Sequence, residues 1–163
     1  MDQKPRRKDE SIFAHGYGIQ IVLQGCMFAG LAIASYCIGR FGFGWNPDPR
    51  EVGEVLAQAN AAKLSAATFF VLALSQTLHA YNMRSGHSLF KVGPFTNRFL
   101  NIVTLIAFAL IAFVMFTPGV MTVFGFGSEY LPWEMYLIGV GLSVVPLVVM
   151  EIAKALDLVR HHK

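Results

Sequence analysis

Four long apolar blocks limit what this chain can fold into more than any other feature of its sequence. They lie near residues 17–39, 61–81, 99–116 and 133–158, and short charged or Gly- and Pro-rich segments separate them. About 20 consecutive apolar residues make a helix long enough to cross the hydrocarbon core of a bilayer. A helix on the surface of a soluble domain would instead carry a polar face. The blocks therefore predict an all-α membrane protein with four transmembrane helices in one domain over residues 1–163.

The distribution of charge supports a membrane location. Charged residues make up 14% of the chain, against about 25% in typical soluble domains. The basic residues form short tracts beside the apolar blocks, which suits contact with lipid headgroups. A nucleic-acid-binding protein would need a basic, aromatic-bearing soluble surface. We therefore expect membrane lipid as a partner and no nucleic acid.

The Lys and Arg residues also predict the orientation of the helices. Four precede the first block, three belong to the loop between the first and second if Lys63 at the start of the second block is counted with Arg40 and Arg50, three lie between the second and third, none between the third and fourth, and three near the C-terminus. Alternate segments thus carry ten against three. Because basic residues are enriched in cytoplasmic segments, both termini are predicted to be cytoplasmic.

The second apolar block carries an unusual set of polar side chains. Ser75, Gln76 and His79 follow one another within two turns. Ser75 and His79 lie on one helical face, and Gln76 lies about 100° around from Ser75. An amide or imidazole in hydrocarbon is unfavourable without a partner, so this region should face protein or water. A small independent channel or proton-coupled carrier built on Gln76 and His79 is disfavoured, because coupling sites usually need intramembrane carboxylates or broken helices and the first three blocks contain no acidic residue.

The first block and the approach to the second contain two further patterns. Gly25, Ala29, Ala32 and Ser35 form a stripe of small residues, the pattern that lets membrane helices approach closely. Glu51–Asn60 is compatible with a short amphipathic piece leading into the second helix. We therefore expect the small-residue stripe to be a packing face and the second helix to begin near Ala61.

Three stretches together resemble one family. They are ESIFAHG at Glu10–Gly16, LALSQTLHAYNMRSGHSLFKVGPFTNRFLN at Leu72–Asn101, and PLVVMEIAK at Pro146–Lys154. In order and topology they are similar to membrane helices seven to ten of P-type cation-transporting ATPases of the calcium-pump type. The resemblance implies an ATP-driven calcium pump, most simply in the plasma membrane. For a complete pump it further implies ATP, magnesium and a transported cation.

The sequence also departs from that family by omission. It has no DKTGT phosphorylation loop, no TGES loop and no PEGLP segment, and the two helices that supply most carboxylate ligands in such pumps have no counterpart. We therefore expect a membrane module with no catalytic residue and no cofactor site of its own, whose partner is the remainder of a P-type ATPase. Whether it counts as an enzyme is left open. The alternative is a stand-alone four-helix adaptor that binds a pump or another membrane protein.

Gln76 is the one candidate metal-site residue. The resemblance places it where sarcoplasmic-type calcium pumps have a carboxylate ligand. Calcium usually takes six to eight oxygen ligands, carboxylates among them, so a single amide cannot hold the ion alone. We expect Gln76 to line the cation path or support a ligand. The face of Ser75, Gln76 and His79 should then point into the bundle, towards the missing helices.

Overall fold

The computed structural model describes residues 17–83 and 97–155, and every regular element within them is a helix. Four of these helices are long and apolar enough to cross a membrane, which confirms the predicted all-α fold with four transmembrane helices. In chain order the elements are α1 (Tyr17–Cys37), which continues as a π-helical turn (Ile38–Gly42), α2 (Pro49–Val52), α3 (Glu54–Met83), α4 (Arg98–Phe116), α5 (Pro118–Val123) and α6 (Trp133–Ala155). The Glu10–Gly16 motif, residues 84–96 and the predicted end of the fourth helix at residue 158 lie outside the described residues.

The second membrane helix begins earlier than predicted. It starts at Glu54 and not at Ala61, so most of the expected amphipathic piece belongs to the same helix. The preceding turn is separate: Asp48 accepts a hydrogen bond from the Arg50 amide at the start of α2. Gly53 then has a φ of 83°, which a residue with a side chain rarely adopts. This glycine separates α2 from α3.

The longest helix, α3, is the centre of the bundle and packs against α1, α4 and α6. It runs antiparallel to α1, because Phe28 of α1 contacts His79 near the end of α3 and Gly39 lies beside Leu64 in its first half. It runs parallel to α6, since Lys63 pairs with Glu129 just before α6 and Gly139 lies beside Phe70 one to two turns further on. The beginnings of α3 and α6 therefore share one end of the bundle, which we call the loop end.

The main hydrophobic core lies at the loop end. Residues 43–53 and 117–132 fold over the first half of α3 there and contribute Trp45 and Phe126 to it. Gly125 and Gly127, both with a φ of 75°, flank Phe126. The buried members of this core are Trp45, Leu64, Ala66, Ala67, Met115, Met121, Phe126, Leu131 and Met135.

The packed face of α1 differs from the predicted one. Leu31, Ser35 and Gly39 are its buried positions, whereas Gly25 and Ala29 are exposed. A Cβ atom added to Gly39 would lie 2.6 Å from Leu64 Cδ2, so the close approach occurs at Gly39. Of the predicted stripe, only Ser35 is fully buried.

Candidate functional site

The three polar residues Ser75, Gln76 and His79 of α3 do not share one environment, because two are buried and one is exposed. Ser75 is fully buried and His79 is 6% exposed, so both face the interior of the bundle. Gln76 lies on the exposed side. The expectation that all three point into the bundle therefore holds within this chain only for Ser75 and His79. The role of Gln76 stays a prediction.

The interior side chains form a tightly packed, largely apolar layer. The His79 ring packs edge-on against the Phe28 ring, with centroids 5.5 Å apart and planes at 87°. Ser75 lies one turn before His79, and its hydroxyl has no hydrogen-bond partner in the part of the chain that the structure describes. On α6, the buried Ser143 donates a hydrogen bond to the Val140 carbonyl. This layer supports close packing of α3 against α1 and α6.

The described residues do not cluster the side chains that most often bind metal ions. They contain no group of three or more His, Cys, Asp or Glu side chains placed to share a metal ion. An exposed amide such as that of Gln76 supplies one oxygen, whereas calcium needs several. Any cation site that includes Gln76 would need several further oxygen ligands.

An open pocket with a volume of about 330 Å³ lies between α1 and α3, towards the loop end. We call this feature the α1–α3 groove. It is lined by Tyr36, Pro47, Ala61, Leu64, Ser65 and Thr68.

An ion pair joins α3 to the segment before α6. Lys63 Nζ lies 2.7 Å from Glu129 Oε2, and the two side chains are 22% and 70% exposed. The hydrogen bond from Lys63, aided by its positive charge, lowers the pKa of the Glu129 carboxyl. Sequence reasoning missed this pair. The available signal was a lone lysine at the start of an apolar block and a single acid in the Gly-rich segment 117–132.

Comparison with known proteins identifies relatives of this chain. The family described as "Cation transporting ATPase, C-terminus" matches residues 1–156. Calcium-transporting ATPase 1 of Bacillus cereus is 30% identical over 94% of this chain and 17% of its own length. Calcium-transporting ATPase 1 of Lactococcus lactis is 27% identical over 96% of the chain and 16% of its own length. The calcium-transporting ATPase of Bacillus subtilis is 27% identical over 90% and 15%.

The four membrane-spanning helices define an integral, multi-pass membrane protein. The match over residues 1–156 then shows that the chain belongs to the family of cation-transporting ATPase C-terminal domains. It spans about one sixth of the length of the curated relatives that it matches. This result agrees with the resemblance found in the sequence motifs.

Proposed function

We propose that this chain is the membrane module of helices seven to ten of an ATP-driven calcium pump, and that it supports the transmembrane cation path without performing chemistry. The observation that carries the proposal is the family match over residues 1–156. Three relatives that align with 90% or more of the chain bear the name calcium-transporting ATPase. We further propose the plasma membrane as its location and the remainder of a P-type ATPase as its partner.

The residues present indicate which tasks this chain would perform in a pump and which would belong to the remainder. No stretch of the chain matches a phosphorylation loop, so ATP and magnesium would act on the remainder of the pump. This chain instead supplies a packed support for the pump, because Ser75 and His79 of α3 are buried in the bundle and the His79 ring packs against Phe28 of α1. The exposed amide of Gln76 is the group left to face the cation path.

A chimera tests this proposal. In it, this chain replaces the matching C-terminal sixth of the Bacillus cereus relative, and ATP-dependent uptake of radioactive calcium is measured in membrane vesicles. The proposal expects uptake above that of the relative truncated at the same junction. A folded, phosphorylatable chimera without uptake would contradict it. Reading the genomic sequence upstream of Met1 for a frame that encodes DKTGT is an independent check.

Gln76 is tested in the same chimera. Gln76→Ala should lower uptake several-fold while folded yield changes little, because the variant removes an oxygen near the cation and leaves the buried face intact. Gln76→Glu should change cation affinity or its pH dependence, because it adds a titratable charge. Gln58→Ala is the matched control, since Gln58 is also an exposed glutamine of α3. If both Gln76 variants transport with the parent's affinity, Gln76 has no role in the path.

A further inference from the structure

We infer that a pocket at the loop end, beside the Lys63–Glu129 ion pair, binds the headgroup of one zwitterionic phospholipid with a primary ammonium, as in phosphatidylethanolamine. The pocket has a volume of about 160 Å³ and lies between the first half of α3 and the segment that precedes α6. We call it the headgroup pocket. Lipid binding there does not depend on calcium transport.

The headgroup pocket lies at the depth of the lipid headgroups. The α4 helix, Arg98–Phe116, has 19 residues, and it is therefore about 28 Å long at 1.5 Å per residue. This length matches a hydrocarbon core of about 30 Å, so the end of α4 at the loop end marks one boundary of that core. Tyr130 and Trp133 follow Glu129 within four residues and are exposed. Because Tyr and Trp are enriched at membrane–water interfaces, Glu129 and its partner Lys63 are placed among the headgroups.

The ion pair offers a partner to each charge of a zwitterion. Lys63 Nζ lies 2.7 Å from Glu129 Oε2. A lysine ammonium has three N–H donors and a carboxylate has about four acceptor positions, so this contact leaves donors on Lys63 and acceptors on Glu129. A lipid phosphate can accept from Lys63 while the ammonium of the same lipid donates to Glu129. The exposed Ser128, which also lines the pocket, adds a hydroxyl donor for the phosphate.

The same two charges select among lipids. A zwitterion adds one positive and one negative group, so each charge in the pocket lies next to an opposite one. Phosphatidylglycerol adds only a negative charge, which the Glu129 carboxylate repels. The quaternary ammonium of phosphatidylcholine has no N–H group and cannot donate a hydrogen bond to that carboxylate. Phosphatidylethanolamine is therefore the favoured class of lipid.

Small side chains on α3 leave room for the headgroup. Ala59 and Ala62 line the pocket about one turn apart. Gly127 of the facing segment has a φ of 75°, and a Cβ atom there would lie 3.4 Å from Ala62 Cβ. The segment therefore approaches α3 closely at Gly127. The pocket volume of about 160 Å³ is about five times the 30 Å³ that a water molecule occupies in the liquid, which suits a phosphate with a short amine arm.

An aromatic wall continues from the headgroup pocket towards the membrane interior. Phe126 lines the pocket, and its ring centroid lies 5.0 Å from that of Phe69 and 5.8 Å from that of Phe124. Phe69 follows Lys63 by six residues on α3, which is about 9 Å deeper at 1.5 Å per residue. Phe124 is exposed, so its ring offers apolar surface on the membrane side of the ion pair. Acyl chains can cover this wall, whereas a water-soluble phosphate ester would leave it bare.

Native mass spectrometry of the full chain tests the headgroup pocket. The chain is reconstituted in nanodiscs with equal amounts of phosphatidylethanolamine, phosphatidylcholine and phosphatidylglycerol of the same acyl chains, and the lipids that it retains in mild detergent are identified. We expect at least five-fold more phosphatidylethanolamine than either other lipid. Lys63→Gln and Glu129→Gln should each abolish this preference, because each removes one of the two charges. Arg50→Gln and Glu134→Gln, at exposed charged positions of the loop end outside the pocket, are the matched controls and should keep it.

A second variant and a soluble competitor separate the pocket from the ion pair and the lipid from its headgroup. Ala59→Phe keeps both charges but fills the pocket, so it should also abolish the preference, whereas Gln58→Phe on the neighbouring exposed position should not. Glycerophosphoethanolamine at the same concentration should not displace the lipid, because it has no acyl chains for the aromatic wall. Equal retention of the three lipids, unchanged retention by a folded Lys63→Gln or Ala59→Phe variant, or displacement by the soluble ester would each overturn the lipid site.

Discussion

Gly139 and Gly141 lie two residues apart on α6 and meet different surroundings. A Cβ atom on Gly139 would lie 2.7 Å from Phe70 Cδ1 and 2.8 Å from Phe70 Cε1, whereas one on Gly141 would meet nothing within 4 Å. The Phe70 ring is itself held edge-on against Tyr136, with centroids 5.3 Å apart. It therefore has little freedom to move away from an added methyl group.

We predict opposite effects of alanine at these two glycines. Gly139→Ala should destabilise the bundle by overpacking, which typically costs about 1–3 kcal/mol, reduced by the better helix propensity of alanine. Gly141→Ala should gain about 1 kcal/mol from that propensity alone. Unfolding midpoints in detergent would measure both. Equal midpoints would show that the α3–α6 contact at Gly139 is looser than described.

Sequence reasoning at this scale identified residue types but not the sides on which they lie. Gly25, Ala29 and Ser35 share a pattern that favours close helix packing, yet only Ser35 is buried. Gln76 was expected to share the bundle interior with Ser75, yet it lies about 100° around the helix and is exposed. Whether α1 packs through Gly25 and Ala29 or through Ser35 and Gly39 depends on the positions of the other helices. A single sequence does not carry that information.

At the level of the elements, the apolar runs predicted that α3 crosses the membrane but not where this helix begins. The four spans were predictable because each contains enough apolar residues to cross a bilayer. The start of α3 at Glu54 was not, because Glu54, Gln58 and Asn60 make its first turns polar while the backbone stays helical. Hydrogen bonding also fixes this region, since the Asn60 amide donates to the Asn46 carbonyl 2.8 Å away.

The segment between α5 and α6 should be held to α3 in a pH-dependent way. Because Lys63 lowers the folded-state pKa of Glu129 below the ordinary value of 4.5, the ion pair stabilises the fold at pH values above 4.5. That contribution is lost as the pH falls through the lowered folded-state pKa. The difference in melting temperature between the parent and Glu129→Gln should therefore be present at pH 7 and disappear in strong acid.

A double-mutant cycle checks that the effect belongs to the pair. Lys63→Gln should also remove the pH-dependent difference, and the double variant should be more stable than the sum of the two single losses predicts, because either change alone already removes the pair. Additive effects of the two substitutions at pH 7 would mean that the 2.7 Å contact contributes nothing to stability in solution.

On the scale of the whole molecule, the directions of the helices place residues 43–53 and 117–132 at the same end of the bundle. The counts of Lys and Arg predict that this end faces outward. Both segments are anchored by buried aromatic side chains, Trp45 and Phe126. They nevertheless leave exposed positions at Arg50 and Ser128 that can carry a label.

We predict that impermeant maleimide added to intact cells labels Arg50→Cys and Ser128→Cys and misses Gly86→Cys, which lies outside the described residues. The background carries Cys26→Ala and Cys37→Ala, and permeabilised cells supply the control in which all three positions react. Labelling at Gly86 in intact cells, with none at Arg50, would reverse the predicted orientation.

The central place of α3 has a consequence for the order of synthesis. Of the four spans it is the least apolar, yet the largest share of its residues is buried. The helices that cover it from one side, α4 and α6, follow it in the chain. While a ribosome is still making them, α3 therefore lacks two of the three long helices that it packs against, and Lys63 lacks its partner Glu129. Within this chain, truncation after α3 would leave the least apolar span with only α1 of these three neighbours, so α3 should gain its remaining contacts only once α4 and α6 have been made.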